Sequence, residues 1–201
     1  VLAMHHIVSD GWSVQVLLEE LVAHYRAAVL NEPLKLAALA VQYADYAAWQ
    51  REWLEAGEKE KQLAYWRDAL GTTHPVLALP TDAPRQAHAS YRAARYRVTL
   101  PAALSQAVKS RAQGSSATPF MVLLAAFQAL LHRYTGQDEI RVGVPVANRH
   151  RVETEPLIGF FVNTQALRAR IDGDATLGAL LEQTRQATVG AQAHQDLPFD
   201  A

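Results

Sequence analysis

The chain has 201 residues, half of them hydrophobic, with 19 basic against 20 acidic side chains and no cysteine. That length and apolar share suffice for one large domain or two small lobes with real cores. A net charge of −1 gives no general pull toward nucleic acid or an anionic membrane, and the absence of cysteine excludes disulfide scaffolds, thiolate zinc sites and cysteine nucleophiles.

Val1 to Met4 reads as a short buried strand. With no initiator methionine and no basic leader it does not read as a signal peptide, and the abrupt ends at Val1 and Ala201 predict a fragment cut on both sides. His5 to Ser13 turns the chain, with Gly11 as its flexible point. Val14, Leu17, Leu18, Leu21, Tyr25 and Val29 then recur at helical spacing, predicting an amphipathic helix that stops near Asn31-Glu32-Pro33. Tyr43, Tyr46, Ala47, Trp53 and Leu54 give a second helix, broken at Gly57 and resumed through Leu63, Trp66 and Leu70. Residues 71–90 hold Gly71, Pro75, Pro80 and Pro84 without steady period and predict an inter-lobe linker.

Beyond it, Tyr96, Val98 and Leu100 alternate as in a strand, and Pro101 stands where a helix would begin. Thr118-Pro119 is a cap and first-residue pair for a helix carrying Leu123, Leu124, Phe127, Leu130 and Leu131. The apolar run Phe120–Leu131, interrupted by Gln128, falls short of the ~20 residues a membrane span needs. Ile140, Val142, Val144 and Val146 alternate as a strand, residues 160–171 read as another, and Asp174 or Thr176 can cap a last helix through Leu177, Leu180, Leu181 and Thr188. This is an α/β order without repeats or a glycine-rich phosphate loop, which argues against a nucleotide fold.

The stretch that carries chemistry is Met4-His5-His6-Ile7-Val8-Ser9-Asp10-Gly11-Trp12-Ser13. Adjacent histidines on an extended backbone diverge, so only one faces a given cavity. Asp10, beside a glycine at a turn, can brace the loop by an ion pair or backbone hydrogen bonds. An imidazole there can work near neutral pH on a proton in transit. A metal site is disfavoured, because the histidines diverge and no further His/Asp/Glu cluster stands at ligand spacing. A satisfied, buried histidine pair is the plainer reading of an isolated His-His.

The stretch does not stand alone. It resembles the HHxxxDG signature of condensation domains of non-ribosomal peptide synthetases. Tyr43-Ala44-Asp45-Tyr46-Ala47-Ala48-Trp49 resembles the family's YxDYAxW motif, and Ile158-Gly159-Phe160-Phe161-Val162-Asn163-Thr164 its GxFVNT motif. His194-Gln195-Asp196-Leu197-Pro198-Phe199-Asp200 resembles HQDxPFE, with Asp where Glu is usual. Four ordered motifs cover essentially the whole chain. The resemblance implies a two-lobed α/β fold of the chloramphenicol-acetyltransferase type. Residues 1–80 would be the C-terminal part of an incomplete first lobe, and residues 81–201 most of the second. Family motifs of the S-x-A-Q and R-H-E-x-L-R type would precede Val1, and an arginine-rich one would follow Ala201.

The implied activity is amide formation between a donor acyl or peptidyl thioester and an acceptor aminoacyl thioester. Both would arrive on phosphopantetheine arms of donor and acceptor carrier domains, beside an adenylation domain in the same chain. The domain itself would bind no cofactor, metal, nucleotide, nucleic acid or membrane, and would sit in the cytoplasm. His6 would be catalytic, as general base or by positioning the amine and stabilising the tetrahedral intermediate. His5, Asp10 and Gly11 would support it structurally, with Arg149 as the ion partner of Asp10 across the lobes and Arg151 as fallback; both arginines could instead be solvated loop residues. Trp12, Ser13, Asn163 and Thr164 would line a tunnel, although Ser13 could simply cap its helix and Asn163 and Thr164 could pair at a sheet edge. Tyr43, Asp45 and Trp49 read as structural, while His194 and Gln195 have no assigned role. The alternatives are an epimerisation domain of the same fold, an acyltransferase using a soluble thioester, and an inactive carrier-docking module. An isolated fragment of this kind is expected to be inactive.

Overall fold

The computed structural model describes residues 2–82 and 94–200. The chain divides into two compact units: Val1–Trp66 with Val144–Gln165 and His194–Ala201, and Arg67–Gly143 with Ala166–Ala193.

In the first unit a 3-10 turn, His6–Val8, precedes helix α1 (Gly11–Leu30). Asp10 caps α1, accepting from the Ser13 amide, so the cap is the aspartate and not the Ser13 hydroxyl. The helix ends where Asn31 turns left-handed at φ 52° and returns its N–H to the Ala27 carbonyl, a conformation asparagine tolerates. Ser13 alone is fully buried on α1, whereas Leu18, Leu21, Tyr25 and Val29 are exposed. The expected apolar face therefore exists in sequence but meets no covering surface among the described residues. Helix α2 (Tyr43–Trp53) starts with a reciprocal cap, Gln42 N–H to the Asp45 carboxylate at 2.8 Å. A single π-turn, Leu54–Glu58, bends the chain into α3 (Lys59–Leu70). Gly57 sits at φ 108° in that turn, a backbone angle that only glycine adopts readily.

This unit is held more by polar groups than by aliphatic packing. Ser9, Asp10, Ser13, Gln62, Asn148, Arg149, Thr154 and Gln165 are buried beside Leu54, Leu157, Phe161 and Leu197. Such an interior is stable only if those groups find partners.

In the second unit, helices α4 (Ala102–Gly114) and α5 (Pro119–Thr135) pack together, and α6 (Leu177–Ala193) packs on α5. Thr118 caps α5 by accepting from the Met121 amide at 3.3 Å, and Thr176 accepts from Ala179 at the start of α6. The core joins Met121, Ala125, Leu131, Ile140, Ala169, Ile171, Leu180 and Leu181. Gln128 is buried within it and satisfied, donating to the Leu167 carbonyl and accepting from Thr184. Strands β1 (Glu139–Val146) and β2 (Asn163–Arg170) pair. The Ile171 amide reaches the Asp138 carbonyl at 2.8 Å, so the end of β2 meets the start of β1 and the pair is antiparallel. Glu139 gathers Arg141 and Arg168 along the pair, and Arg168 also donates to the Ala69 carbonyl.

Two expected strands do not form. Leu2–Met4 and Tyr96–Leu100 belong to no helix or strand and have no sheet partner among the described residues, and Leu2, Tyr96 and Val98 are exposed. Alternation marks compatibility with a strand, but a strand needs a paired edge. Part of the expected linker, residues 83–90, lies outside the described residues. No single described helix is long and apolar enough to cross a membrane.

Candidate active site

The loop around the paired histidines is built on Asp10. Its carboxylate is fully buried and accepts from the backbone amides of Ser13 at 2.8 Å and Phe161 at 3.1 Å. The Arg149 guanidinium, equally buried, stands 3.3 Å away. Burial by itself raises the Asp10 pKa, yet the hydrogen bonds from Ser13 and Phe161 and the charge of Arg149 together bring it below the ordinary value. Arg149 is lowered by burial, against the opposing pull of Asp10.

Arg149 does more than pair. It donates to the Thr154 carbonyl, to the Leu157 carbonyl at 2.8 Å and to the Ser13 hydroxyl at 2.9 Å, and its guanidinium lies 3.9 Å above the Phe161 ring. Ser13 Oγ accepts from Arg149 and from the Gly159 amide, and its single hydrogen has two acceptors at 2.8 Å, Asp10 and the Gly159 carbonyl. With its hydroxyl so engaged and the side chain fully buried, Ser13 cannot serve as a nucleophile. Arg151 lies elsewhere, stacked 4.0 Å over Trp49.

The histidines diverge, but through a 3-10 turn and not an extended strand. His5 Nδ1 accepts from the Ile7 amide at 3.1 Å, closing the turn. The exposed His6 ring meets Phe160 edge-on, with centroids 5.2 Å apart, and makes no side-chain hydrogen bond among the described residues. Gly11 opens α1, and a Cβ there would meet nothing within 4 Å. Trp12 donates its indole N–H to the Glu155 carbonyl at 2.9 Å.

Asn163 pins the following motif. Its amide donates to the carbonyls of Gln195 and Leu197 and accepts from the amides of Thr164 and Phe199. His194 stacks flat on Tyr65, centroids 4.0 Å apart, and Asp196 pairs with His150 at 2.8 Å. Asn163 and Thr164 also line a cavity of about 430 Å³ with Tyr43, Tyr46, Phe160 and Phe161. The Tyr46 hydroxyl is pushed up to about 12, first by burial and then by the charge of Asp196, so it stays protonated at neutral pH. Tyr43 donates to the Phe160 carbonyl at 2.7 Å and lies against Gly159, where a Cβ would collide with the ring. The sequence reading missed this ring-on-glycine contact, although both residues stood in recognised motifs. No group of three or more residues that could hold a metal ion exists among the described residues.

The family model described as "Condensation domain" matches residues 1–201. One of the proteins that make up the linear gramicidin synthase of Brevibacillus parabrevis is 53% identical over 199 residues, covering 99% of this chain and 3% of that protein. Phosphinothricin tripeptide synthetase PhsC of Streptomyces viridochromogenes is 47% identical, covering 99% of this chain and 18% of that protein. Among solved structures, the X-domain in complex with OxyB from teicoplanin biosynthesis superposes with a TM-score of 0.88 at 28% identity, over 98% of this chain and 44% of that one. The first condensation domain of the calcium-dependent antibiotic synthetase, in complex with a substrate analogue, gives a TM-score of 0.79 at 25% identity, over 98% of this chain and 45% of that one. The chain thus spans less than half of these structures and a small part of the curated relatives.

Proposed function

This chain belongs to the condensation-domain family, with its α/β chloramphenicol-acetyltransferase-like fold, and from that premise we propose that it forms amide bonds between carrier-bound thioesters in non-ribosomal peptide biosynthesis. The observation that carries the reading is the Asp10–Ser13–Arg149 cluster. It fixes the loop from behind while His6, four residues before Asp10, stays uncommitted beside Phe160.

In this reading residues 1–80 belong to a first lobe and 81–201 to a second. Donor and acceptor arrive on phosphopantetheine arms of carrier domains, with an adenylation domain in the same protein. The acceptor's α-amino nitrogen attacks the donor thioester carbon; the C–N bond forms, the C–S bond breaks, and the proton shed by nitrogen ends on the departing thiolate. His6 contacts the attacking nitrogen and handles that proton. Asp10, Arg149 and Ser13 act only through the loop, and His5 holds its turn. The remaining rate comes from holding two thioesters together away from water. A second reading, a docking module without chemistry, draws on the teicoplanin X-domain, which was solved in complex with OxyB.

The test is dipeptide formation between aminoacyl-loaded donor and acceptor carriers by the full-length protein, wild type against His6→Ala, with circular dichroism as the folding check. A dipeptide made by wild type and largely lost in a folded His6→Ala supports the condensation reading. Loss of stereochemistry at the donor α-carbon without amide would favour epimerisation. Carrier binding without either reaction would favour docking.

A further inference from the structure

Phe160 and Phe161 are neighbours in the chain and opposite in environment. Phe161 is 3% exposed, beneath the Arg149 guanidinium. Phe160 is 40% exposed, and its ring meets His6 edge-on with centroids 5.2 Å apart. Phe161 is thus the ring that fills the interior, and Phe160 answers to another demand. The GxFVNT resemblance names Gly159 and Phe161 and leaves residue 160 open, so no motif gives it a role.

The backbone around Phe160 is fixed on both sides and at its own carbonyl. The Gly159 amide donates to Ser13 Oγ at 3.0 Å, the Phe161 amide donates to Asp10 at 3.1 Å, and the Phe160 carbonyl accepts from the Tyr43 hydroxyl at 2.7 Å. Asp10 and Ser13 also open α1, the helix into which the histidine turn leads. One buried cluster therefore sets both ends of the contact, the turn that carries His6 and the loop that carries Phe160. His6 itself is exposed and makes no side-chain hydrogen bond among the described residues. An unrestrained imidazole spreads over three χ1 wells and two χ2 orientations, about six arrangements in all. A proton transfer that requires one of them loses the share spent in the others.

We propose that Phe160 is a positioning residue, whose ring holds the His6 imidazole in the orientation that serves the attacking amine. The assignment rests on the amide-forming reading, in which His6 handles the proton of the acceptor nitrogen. Phe160 also lines the 430 Å³ cavity, and His6 is not among the lining residues. A wall that merely shapes substrate binding and a restraint on His6 give different kinetics.

The experiment measures dipeptide formation from loaded carriers by the full-length protein under single-turnover conditions. It compares wild type, Phe160→Leu, Phe160→Tyr, His6→Ala and the double variant of His6→Ala with Phe160→Leu. Phe160→Leu keeps an apolar wall and removes the ring; its maximal rate should fall about three- to sixfold, with the half-saturating concentration of acceptor carrier unchanged. Phe160→Tyr keeps the ring and should keep the rate. On the His6→Ala background Phe160→Leu should cost nothing further, because the ring acts only through the imidazole. A second readout needs no turnover. In protein labelled with carbon-13 histidine, the His6 ring signals, assigned by their loss in His6→Ala, should move in Phe160→Leu and stay in Phe160→Tyr.

An unchanged maximal rate in Phe160→Leu, an effect confined to half-saturation, a further loss on the His6→Ala background, or unmoved His6 signals would overturn the proposal. If Phe160→Leu fails to fold by circular dichroism, Phe160→Met takes its place. A protein that makes no dipeptide yet shows the moved signals overturns the amide-forming reading and leaves the ring restraint standing. One that makes dipeptide with unmoved signals overturns only the assignment of Phe160.

Discussion

Replacing Arg149 by methionine keeps its length and removes its charge and every donor. Asp10 then loses its ion partner in an interior where both side chains are almost wholly buried. Breaking such a pair on one side costs about 3–5 kcal/mol. The carbonyl of the buried residue Leu157 loses its donor at the same stroke, worth about 1–3 kcal/mol when left unpaired, while the Thr154 carbonyl keeps the Leu157 amide at 3.3 Å. Against this, the amides of Ser13 and Phe161 still hold the carboxylate and spread its charge. The expected loss is therefore about 4–5 kcal/mol, the upper half of the one-sided range. Urea unfolding of the full-length protein, followed by circular dichroism and tryptophan fluorescence, measures it. Arg151→Met is the internal control: that side chain is exposed on Trp49, and its loss should cost less than about 1 kcal/mol. A cycle with Asp10→Asn should show strong non-additivity, because the second change removes a charge the first has already stranded. If Arg149→Met costs under about 1 kcal/mol, or if the two changes simply add, the pair does not organise the loop.

The lowered Asp10 pKa has a pH signature: its contribution is complete above the ordinary aspartate range and is lost as pH falls through the depressed folded value, so an acid-titration step in wild-type stability should be absent in Asp10→Asn. Gly159→Ala should force the Tyr43 ring aside and cost about 1–3 kcal/mol, seen as a lower Tm; an unchanged melt would mean the ring is not fixed there. Glu139→Gln should destabilise the β1–β2 pair at neutral pH, because the Glu139 pKa is held down against its desolvation by Arg168 and Arg141; the difference from wild type should close at pH values below the depressed carboxylate pKa. At the end of α1, Asn31→Gly should be close to neutral while Asn31→Val should cost about 1 kcal/mol, both read by thermal unfolding.

Where a local rule decides, the sequence reading and the structure agree. Thr118-Pro119 opens α5, Thr176 caps α6, and alternation through Ile140, Val142, Val144 and Val146 runs along β1, because caps and side-chain period act within a few residues. Where a distant partner decides, they separate. Tyr96, Val98 and Leu100 have the alternation but no paired edge, and α1 has the apolar stripe but no cover among the described residues. The site divides the same way. The His5-His6 pair and Asp10 stand out as a motif, whereas the choice between Arg149 and Arg151 depends on which loop turns inward. Ser13 as a four-way hydrogen-bond junction and Phe160 as the ring beside His6 depend on neighbours more than a hundred residues away, and no pattern in the chain announces either.

The ties from α1 to Gly159 and Phe161 bridge sequence separations of 146 and 151 residues. On a ribosome, the histidine loop is therefore made well before its anchors and cannot be locked until the chain has grown past Phe161. By then α4, α5 and β1 have emerged and can begin to gather their own core. Contacts of such range are slow to close, so α4 and α5 have time to pair first. The loop of His5 and His6 then takes shape only after α4 and α5 have emerged, and a nascent chain released early would carry its histidines without the anchor that arranges them.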